Sequence, residues 1–86
     1  MPPSDLLEAL RVRPFVPFRL HVSEGATYEI RHPEMMLVGV ASVIIAIPAD
    51  PSSPYYQRTE TVAARHIIRI VPLGQAVTPG GNGEQG

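Results

Sequence analysis

The chain has 86 residues, a formal net charge of −1 and no cysteine. A chain of this length forms one small domain that buries only about 60% of its unfolded surface, so its stability margin is narrow. Without cysteine, disulfides and thiolate metal ligands are excluded. The near-neutral charge argues against a partner held mainly through phosphates, because such binding needs clustered positive charge.

The composition also limits the architecture and the location. Ten prolines and seven glycines predict many turns and short strands rather than long helices. No run of about 20 apolar residues is present, so we expect no membrane-spanning helix. The first residues carry acids without a basic region ahead of an apolar core, which is unlike a signal peptide. We therefore expect a cytoplasmic protein without membrane attachment.

Residues 4–12 predict a short amphipathic helix whose leucines form one apolar stripe. Asp5 and Glu8 have the spacing of a capping box, and both acids lie near the positive end of the helix dipole. Pro14 disfavours helical geometry in the residue before it and ends the element. A helix of two to three turns is marginal alone, so we expect it to pack on the rest of the domain.

The stretch from Phe18 to Arg31 alternates apolar and polar residues on both sides of a break at residues 23–25. This pattern predicts two antiparallel strands joined by a three-residue turn. Gly25 falls at the last turn position, where glycine adopts the left-handed conformation without strain. The matching of faces then fixes the register. The expected pairs are Val22–Ala26, Leu20–Tyr28, Phe18–Ile30 and, on the outer face, the oppositely charged Arg19–Glu29.

Further strands follow once Pro33 has ended the second one. We expect them at residues 35–40, 42–47, 57–62 and 67–71, with the threonine-rich segment 57–62 at a sheet edge. The segment 43–47 is apolar at every position, which is typical of a strand buried on both faces. In so small a domain, that burial requires cover from the helix or from a second subunit.

These elements predict a mostly β fold with one N-terminal helix. We expect a small, strongly bent, five-stranded antiparallel sheet or barrel, because closing the meander removes exposed edges. The domain covers residues 1–73. Residues 74–86 contain few core-forming side chains, and we expect a disordered C-terminal tail there.

Two segments carry a family resemblance. RPFVPFRLHVSEGATYEIRHPEMMLV, together with the later HIIRIVPL, resembles a family of short uncharacterised bacterial proteins. Those proteins share a Pro-Phe-x-Pro-Phe-Arg start, a Ser/Thr-Asp/Glu-Gly turn and an Arg-His-Pro-Glu segment. The resemblance implies no particular activity.

The order of elements is also similar to the Sm-like fold, which includes bacterial RNA chaperones. Leu20 and Gly25 sit where the first Sm motif has its leucine and glycine, and the last predicted strand lies in an Ile-x-x-Ile-Val-Pro segment, residues 67–72. Residues 63–66 sit where the chaperones have a turn that lines their RNA pore. The resemblance implies a small barrel and, at Arg65 and His66, an RNA contact.

The candidate binding residues are polar or aromatic side chains beside rigid turns. The charged residues around Pro33 could present their charge to a partner or form structural pairs within the sheet. The two tyrosines could stack on a nucleobase or a proline-rich peptide, or cover an open end of the barrel. The predicted patch comprises Arg31, His32, Glu34, Tyr55, Tyr56, Arg65 and His66.

Catalytic and metal sites find no support in the sequence. His21, His32, His66 and Glu34 match no ligand spacing, and no serine lies in a nucleophile-elbow motif. The glycines of the GGNG stretch have no strand before them and no helix after, unlike a phosphate-binding loop. We therefore expect no catalysis, no metal and no cofactor.

The sequence thus predicts a non-catalytic small-barrel binding module. Its expected partner is another protein or further copies of itself, so that a homo-oligomer forms. The alternative is an Sm-like RNA-binding protein that uses Arg65, His66, Arg31 and one of the two tyrosines. The net charge of −1 disfavours this alternative.

Overall fold

A computed structural model of the chain describes residues 1–74, which include one α-helix, six strands and two 3-10 turns. The predicted tail, apart from Gly74, lies outside the described residues. The elements are α1 (Pro3–Arg11), β1 (Phe18–Val22), β2 (Thr27–Ile30), β3 (Met36–Val38), β4 (Ser42–Pro48), β5 (Tyr56–Ala63) and β6 (Ile67–Pro72). The first 3-10 turn, Pro33–Met35, precedes β3, and the second, Ala64–His66, precedes β6. The protein is therefore mostly β with one N-terminal helix, as predicted.

The strands form two three-stranded antiparallel sheets, with orders β2-β1-β6 and β3-β4-β5. The prediction of a five-stranded single sheet or closed barrel is wrong, because all six segments predicted as strands form strands and they divide between two sheets. Pro33 and the first 3-10 turn separate β2 from β3, because a proline cannot donate to a ladder and its ring restricts the backbone. The chain therefore starts a second sheet after this turn.

The β1–β2 hairpin has the predicted register. Its opposed residues are Phe18–Ile30, Arg19–Glu29, Leu20–Tyr28 and His21–Thr27. Gly25 has a φ of 101° and donates its backbone N–H to the Val22 carbonyl at 2.8 Å. On the outer face, Arg19 Nη2 lies 2.9 Å from Glu29 Oε2. Both turn chemistry and cross-strand charge thus specify this pairing.

The start of α1 differs from the predicted capping box. The helix begins at Pro3 after Pro2 as N-cap, and no side chain caps it. Asp5 therefore lies inside the first turn, where its charge still faces the positive end of the helix dipole. At the other end, Arg13 Nη1 donates to the Leu10 carbonyl at 2.7 Å and satisfies a terminal acceptor.

The core lies between the two sheets and α1. Its buried side chains are aliphatic apart from Phe18 and two methionines, and no polar or charged residue of the described chain is among them. The helix contributes Leu6 and Leu10 to this cluster. The core comprises Leu6, Leu10, Phe18, Leu20, Ile30, Met35, Met36, Val43, Ile45, Ala64 and Ile67.

The burial of β4 alternates along the strand. Val43 and Ile45 are 0% and 1% exposed, whereas Ile44 between them is 41% exposed. Within one chain, the helix and the other sheet cover only the inner face, so the predicted burial of 43–47 on both faces would need the second subunit that the sequence analysis allowed, and this part stays a prediction. On the outward face Ile44 lies opposite Leu37 of β3, which is 65% exposed. An apolar face of the second sheet is therefore uncovered.

Within residues 1–74, no helix is long and apolar enough to cross a membrane.

Candidate functional site

Four residues of the predicted patch meet in one groove, which we call the β2 groove. It has a volume of about 600 Å³ and lies between the end of β2, the first 3-10 turn and the loop of residues 48–54. The four residues are Arg31, His32, Glu34 and Tyr56. The remaining lining is contributed by Glu29, Met35, Pro48, Ala49, Asp50, Pro51, Ser53 and Pro54.

Turn chemistry brings the two sides of this groove together. β2 ends at Ile30, and the following turn around Pro33 keeps the next residues at the rim. On the opposite side, the β4–β5 ladder is irregular after Ile47, and Pro48 lies opposite Tyr56. The loop is fixed by its own polar groups, because Asp50 Oδ1 accepts from both the backbone N–H and the hydroxyl of Ser52 at 3.0 Å.

The charge of Arg31 is largely engaged within its own segment. Its Nη2 lies 2.7 Å from Glu29 Oε1, while Arg19 Nη2 lies 2.9 Å from the other carboxylate oxygen. The hydrogen bond from Arg19, together with the charge of Arg31, lowers the pKa of Glu29. The sequence allowed Arg31 either to present its charge to a partner or to form a structural pair. The observed contact with Glu29 is such a structural pair.

The other three predicted patch residues lie outside the β2 groove. Tyr55 is 76% exposed beside it but does not line it. Arg65 lines a separate shallow cavity with the N-terminal residues and Val40, and His66 is exposed on the same 3-10 turn. The backbone carbonyl of His66 accepts from the Ser23 N–H at 2.8 Å. Four of the seven predicted residues thus line the groove, Arg65 and His66 lie on the second 3-10 turn, and Tyr55 belongs to neither group.

His21 is only half-buried, but its Nε2 atom is shielded from solvent. Within the described residues that nitrogen has no hydrogen-bond partner. In residues 1–74, no three His, Asp or Glu side chains are grouped so that they could hold a metal ion. The three histidines therefore do not form one site.

Sequence reasoning missed several groove residues, notably Glu29, Met35 and Asp50. For Glu29 the sequence predicts only the cross-strand pair with Arg19, and for the proline-rich segment of residues 48–54 it predicts no strand and no binding role. The available signal was a segment that contains three prolines and Asp50 and is followed directly by a pair of tyrosines. That signal does not say which strand end the loop faces, because this depends on how the two sheets pack.

A second surface is the free side of β5, which we call the β5 edge. Within the described residues, β5 forms a ladder with β4 alone. On its inner face, Arg58 Nε and Nη2 lie 3.1 and 2.9 Å from Glu60 Oε2, and the Tyr28 hydroxyl donates to Glu60 Oε1 at 2.6 Å. The hydrogen bond from Tyr28, followed by that from Arg58, lowers the pKa of Glu60. The same contact with Glu60 raises the pKa of Tyr28.

The lining of the β2 groove combines Met35 and three prolines with side chains of both charge signs. The β5 edge offers unpaired backbone groups and one ion pair. Such surfaces are suited to binding, since they supply shape, apolar area and hydrogen-bonding groups. No protein-family model matches the chain, and comparisons with curated proteins and with solved structures also found no match.

Proposed function

We propose that the protein is a non-catalytic binding module that works through protein contacts and associates with copies of itself. The observation that carries this proposal is the open β5 edge. β5 is eight residues long and contains no proline or lysine, and five of its residues from Tyr56 to Thr61 are exposed. A long edge strand without such blocking residues is a template for pairing with another chain.

The outward face of the same sheet supports the proposal. Leu37 and Ile44 lie side by side on that face, and Thr61 of β5 continues the row across the ladder. Exposed apolar side chains grouped beside polar ones are typical of protein contact surfaces. The β2 groove, with its mixed charges, is a further surface of this kind and suits a protein segment better than a polyphosphate.

Light scattering across micromolar concentrations tests the proposal. The wild-type chain should give a molar mass above that of one chain. Thr59→Lys places a lysine in the middle of β5 and should shift the mass toward the monomer, because edge lysines oppose strand addition. Thr27→Lys makes the same change at an exposed position of β2, an edge strand of the other sheet, and should leave the mass unchanged.

A strictly monomeric wild-type chain would contradict self-association. Equal masses for wild type and both lysine variants, all above one chain, would show that association uses another surface. Circular dichroism of each variant should match the wild type, since Thr27 and Thr59 are both exposed.

RNA binding is the second candidate, and two observations favour it. Arg65 and His66 are adjacent and exposed, and neither forms an ion pair within the described residues. In addition, when β2 and β3 are joined through the first 3-10 turn, the order becomes β6-β1-β2/β3-β4-β5. In this order the last strand lies beside the first, which supports the proposed similarity to the Sm-like order of elements.

A salt titration of binding to single-stranded RNA separates the two functions. Phosphate contacts release counterions, so RNA binding through Arg65 would weaken steeply with salt, and Arg65→Gln would reduce the slope. Arg11→Gln, on the exposed side of α1, serves as the control. No retention at low salt would remove the RNA function.

A further inference from the structure

The four sheet edges differ in how well they are protected against pairing. β2 and β3 have only four and three residues, and β6 carries Arg69 at its centre and ends in Pro72. Short edges, charges and prolines all oppose strand addition. β5 is the longest strand of the described chain and contains no proline, and its two charged residues, Arg58 and Glu60, have opposite charges and pair with each other. The β5 edge is therefore the one most open to a partner strand.

Arg58 and Glu60 restrict which partner strand can pair with this edge. They are two residues apart and share the inner face of the sheet, where they already contact each other. Their side chains are 55% and 33% exposed, so a strand added to the edge would meet both. Like charges placed directly opposite destabilise an antiparallel pair, and opposite charges stabilise it by roughly 0.2–1 kcal/mol.

The sequence of β5 is complementary to itself in one antiparallel register. A two-fold axis perpendicular to the sheet opposes residues of the same face. With the axis at Thr59, Arg58 faces Glu60 of the second copy and Glu60 faces its Arg58. An axis at Arg58 or at Glu60 would instead oppose two like charges. An axis at Gln57 or at Thr61 would leave both charges without a charged partner on the second β5.

We propose that two copies of this chain join at their β5 edges, antiparallel and with Thr59 on the two-fold axis. This inference rests on the self-association proposed above and specifies its interface. The dimer has one continuous six-stranded sheet, β3-β4-β5-β5-β4-β3, held by backbone hydrogen bonds and by two reciprocal Arg58–Glu60 pairs. Such an interface is isologous, because each copy contributes the same surface, and it closes as a dimer.

The geometry also sets what the dimer displays. A two-fold axis perpendicular to the sheet keeps the outward faces of both copies on the same side. The two rows containing Leu37 and Ile44 therefore lie on one broad surface, while the two β2 grooves remain separate. Each Glu60 retains its contact with Tyr28, since a carboxylate has lone pairs enough for the added arginine.

Disulfide trapping tests the register, because the wild-type chain has no cysteine of its own. Thr59→Cys places two thiols opposite each other at a Cα separation of about 4.5–5.5 Å, within disulfide range. Thr61→Cys is the matched control on the same face of the same strand. Its two copies lie four residues apart along the strand, about 13 Å, which is too far to bridge.

Mild oxidation of the full chain should cross-link Thr59→Cys at least severalfold more than Thr61→Cys. Adding Arg58→Glu to Thr59→Cys should remove most of the cross-linking, because it places two glutamates opposite each other on either side of the axis. Melting curves of both cysteine variants should match the wild type, which shows that the strand remains folded.

The outcomes separate this interface from self-association in general. Equal cross-linking of the two cysteine variants, or none in either while the wild type still self-associates, overturns the proposed register and leaves the proposed function standing. A strictly monomeric wild type without cross-linking overturns both.

Discussion

At the scale of single residues, the β1–β2 hairpin is the best-specified part of the chain. Gly25 supplies the one left-handed residue of the turn, with a φ of 101°. Arg19 and Glu29 then meet across the ladder at 2.9 Å. A shift of the register by one residue would move every apolar side chain of β2 to the solvent face. The turn at Gly25 and the Arg19–Glu29 pair therefore both exclude a shifted register of β1 and β2.

Gly25→Val should lower the free energy of unfolding by about 1 kcal/mol or more, because a β-branched side chain tolerates positive φ poorly. No atom lies within 4 Å of the position its Cβ would take, so the cost is backbone strain rather than a clash. Urea denaturation measures the change. Glu24→Val, in the same turn but at negative φ, is the control and should cost less. Equal midpoints for Gly25→Val and wild type would contradict the role assigned to this glycine.

At the scale of elements, the sequence predicted which segments form strands more accurately than it predicted which faces of those strands other elements cover. The alternation of apolar and polar residues predicts β1 and β2 directly, because the polarity of each residue indicates which face of the strand it lies on. In β4, by contrast, Ile44 and Ile45 are chemically alike, so no pattern separates the buried residue from the exposed one. The difference arises because the helix and the other sheet cover one side only. Cover of this kind is a property of packing and is not encoded in the strand itself.

Truncating each isoleucine of β4 in turn measures this asymmetry. Ile45→Ala should destabilise the protein by about 2–5 kcal/mol, because it removes fully buried methylene groups and leaves a cavity. Ile44→Ala removes the same atoms from a side chain that is 41% exposed, and should cost less than half as much. Thermal or urea unfolding of the two variants gives the comparison. Equal losses would mean that the outward face is covered in solution.

The candidate site was predictable only in part, for a related reason. Arg31, His32 and Glu34 are consecutive or nearly so, and a turn at Pro33 keeps them together whatever the fold. Tyr56 joins them because the β4–β5 connection bends back over the end of β2. Arg65 does not, since the second 3-10 turn lies elsewhere. Contacts between elements distant in sequence depend on how the sheets are arranged, which local patterns do not determine.

At the scale of the whole molecule, the two sheets share no ladder within the described residues. They meet through the aliphatic core and through the hydrogen bond from Tyr28 of β2 to Glu60 of β5. This contact ties the sheets at the surface, next to the ion pair with Arg58. Protonation of the Glu60 carboxylate therefore weakens this contact between the two sheets.

Stability should fall in acid for this reason. The folded-state pKa values of Glu29 and Glu60 are lowered, so their contribution is present above the ordinary glutamate pKa of about 4.3 and is lost as pH falls through the lowered values. Urea unfolding from neutral into acidic pH measures the slope. Tyr28→Phe removes the main cause of the shift in Glu60 and should flatten it. Tyr55→Phe, which removes the hydroxyl of an exposed tyrosine, is the matched control and should leave the slope unchanged.

An interior made only of hydrocarbon and thioether groups has a consequence for how the chain can vary. Leucine, isoleucine, valine and methionine can replace one another at such sites for less than about 1.5 kcal/mol when total volume is kept. Among the described core residues only Met35 takes part in a side-chain hydrogen bond, with its Sδ atom accepting from the Arg31 N–H at 3.4 Å, so the other core side chains can be exchanged without losing one. Conservative apolar substitutions in the core should therefore be tolerated, while the turn glycine and the ion pairs at the surface keep the chain in one arrangement.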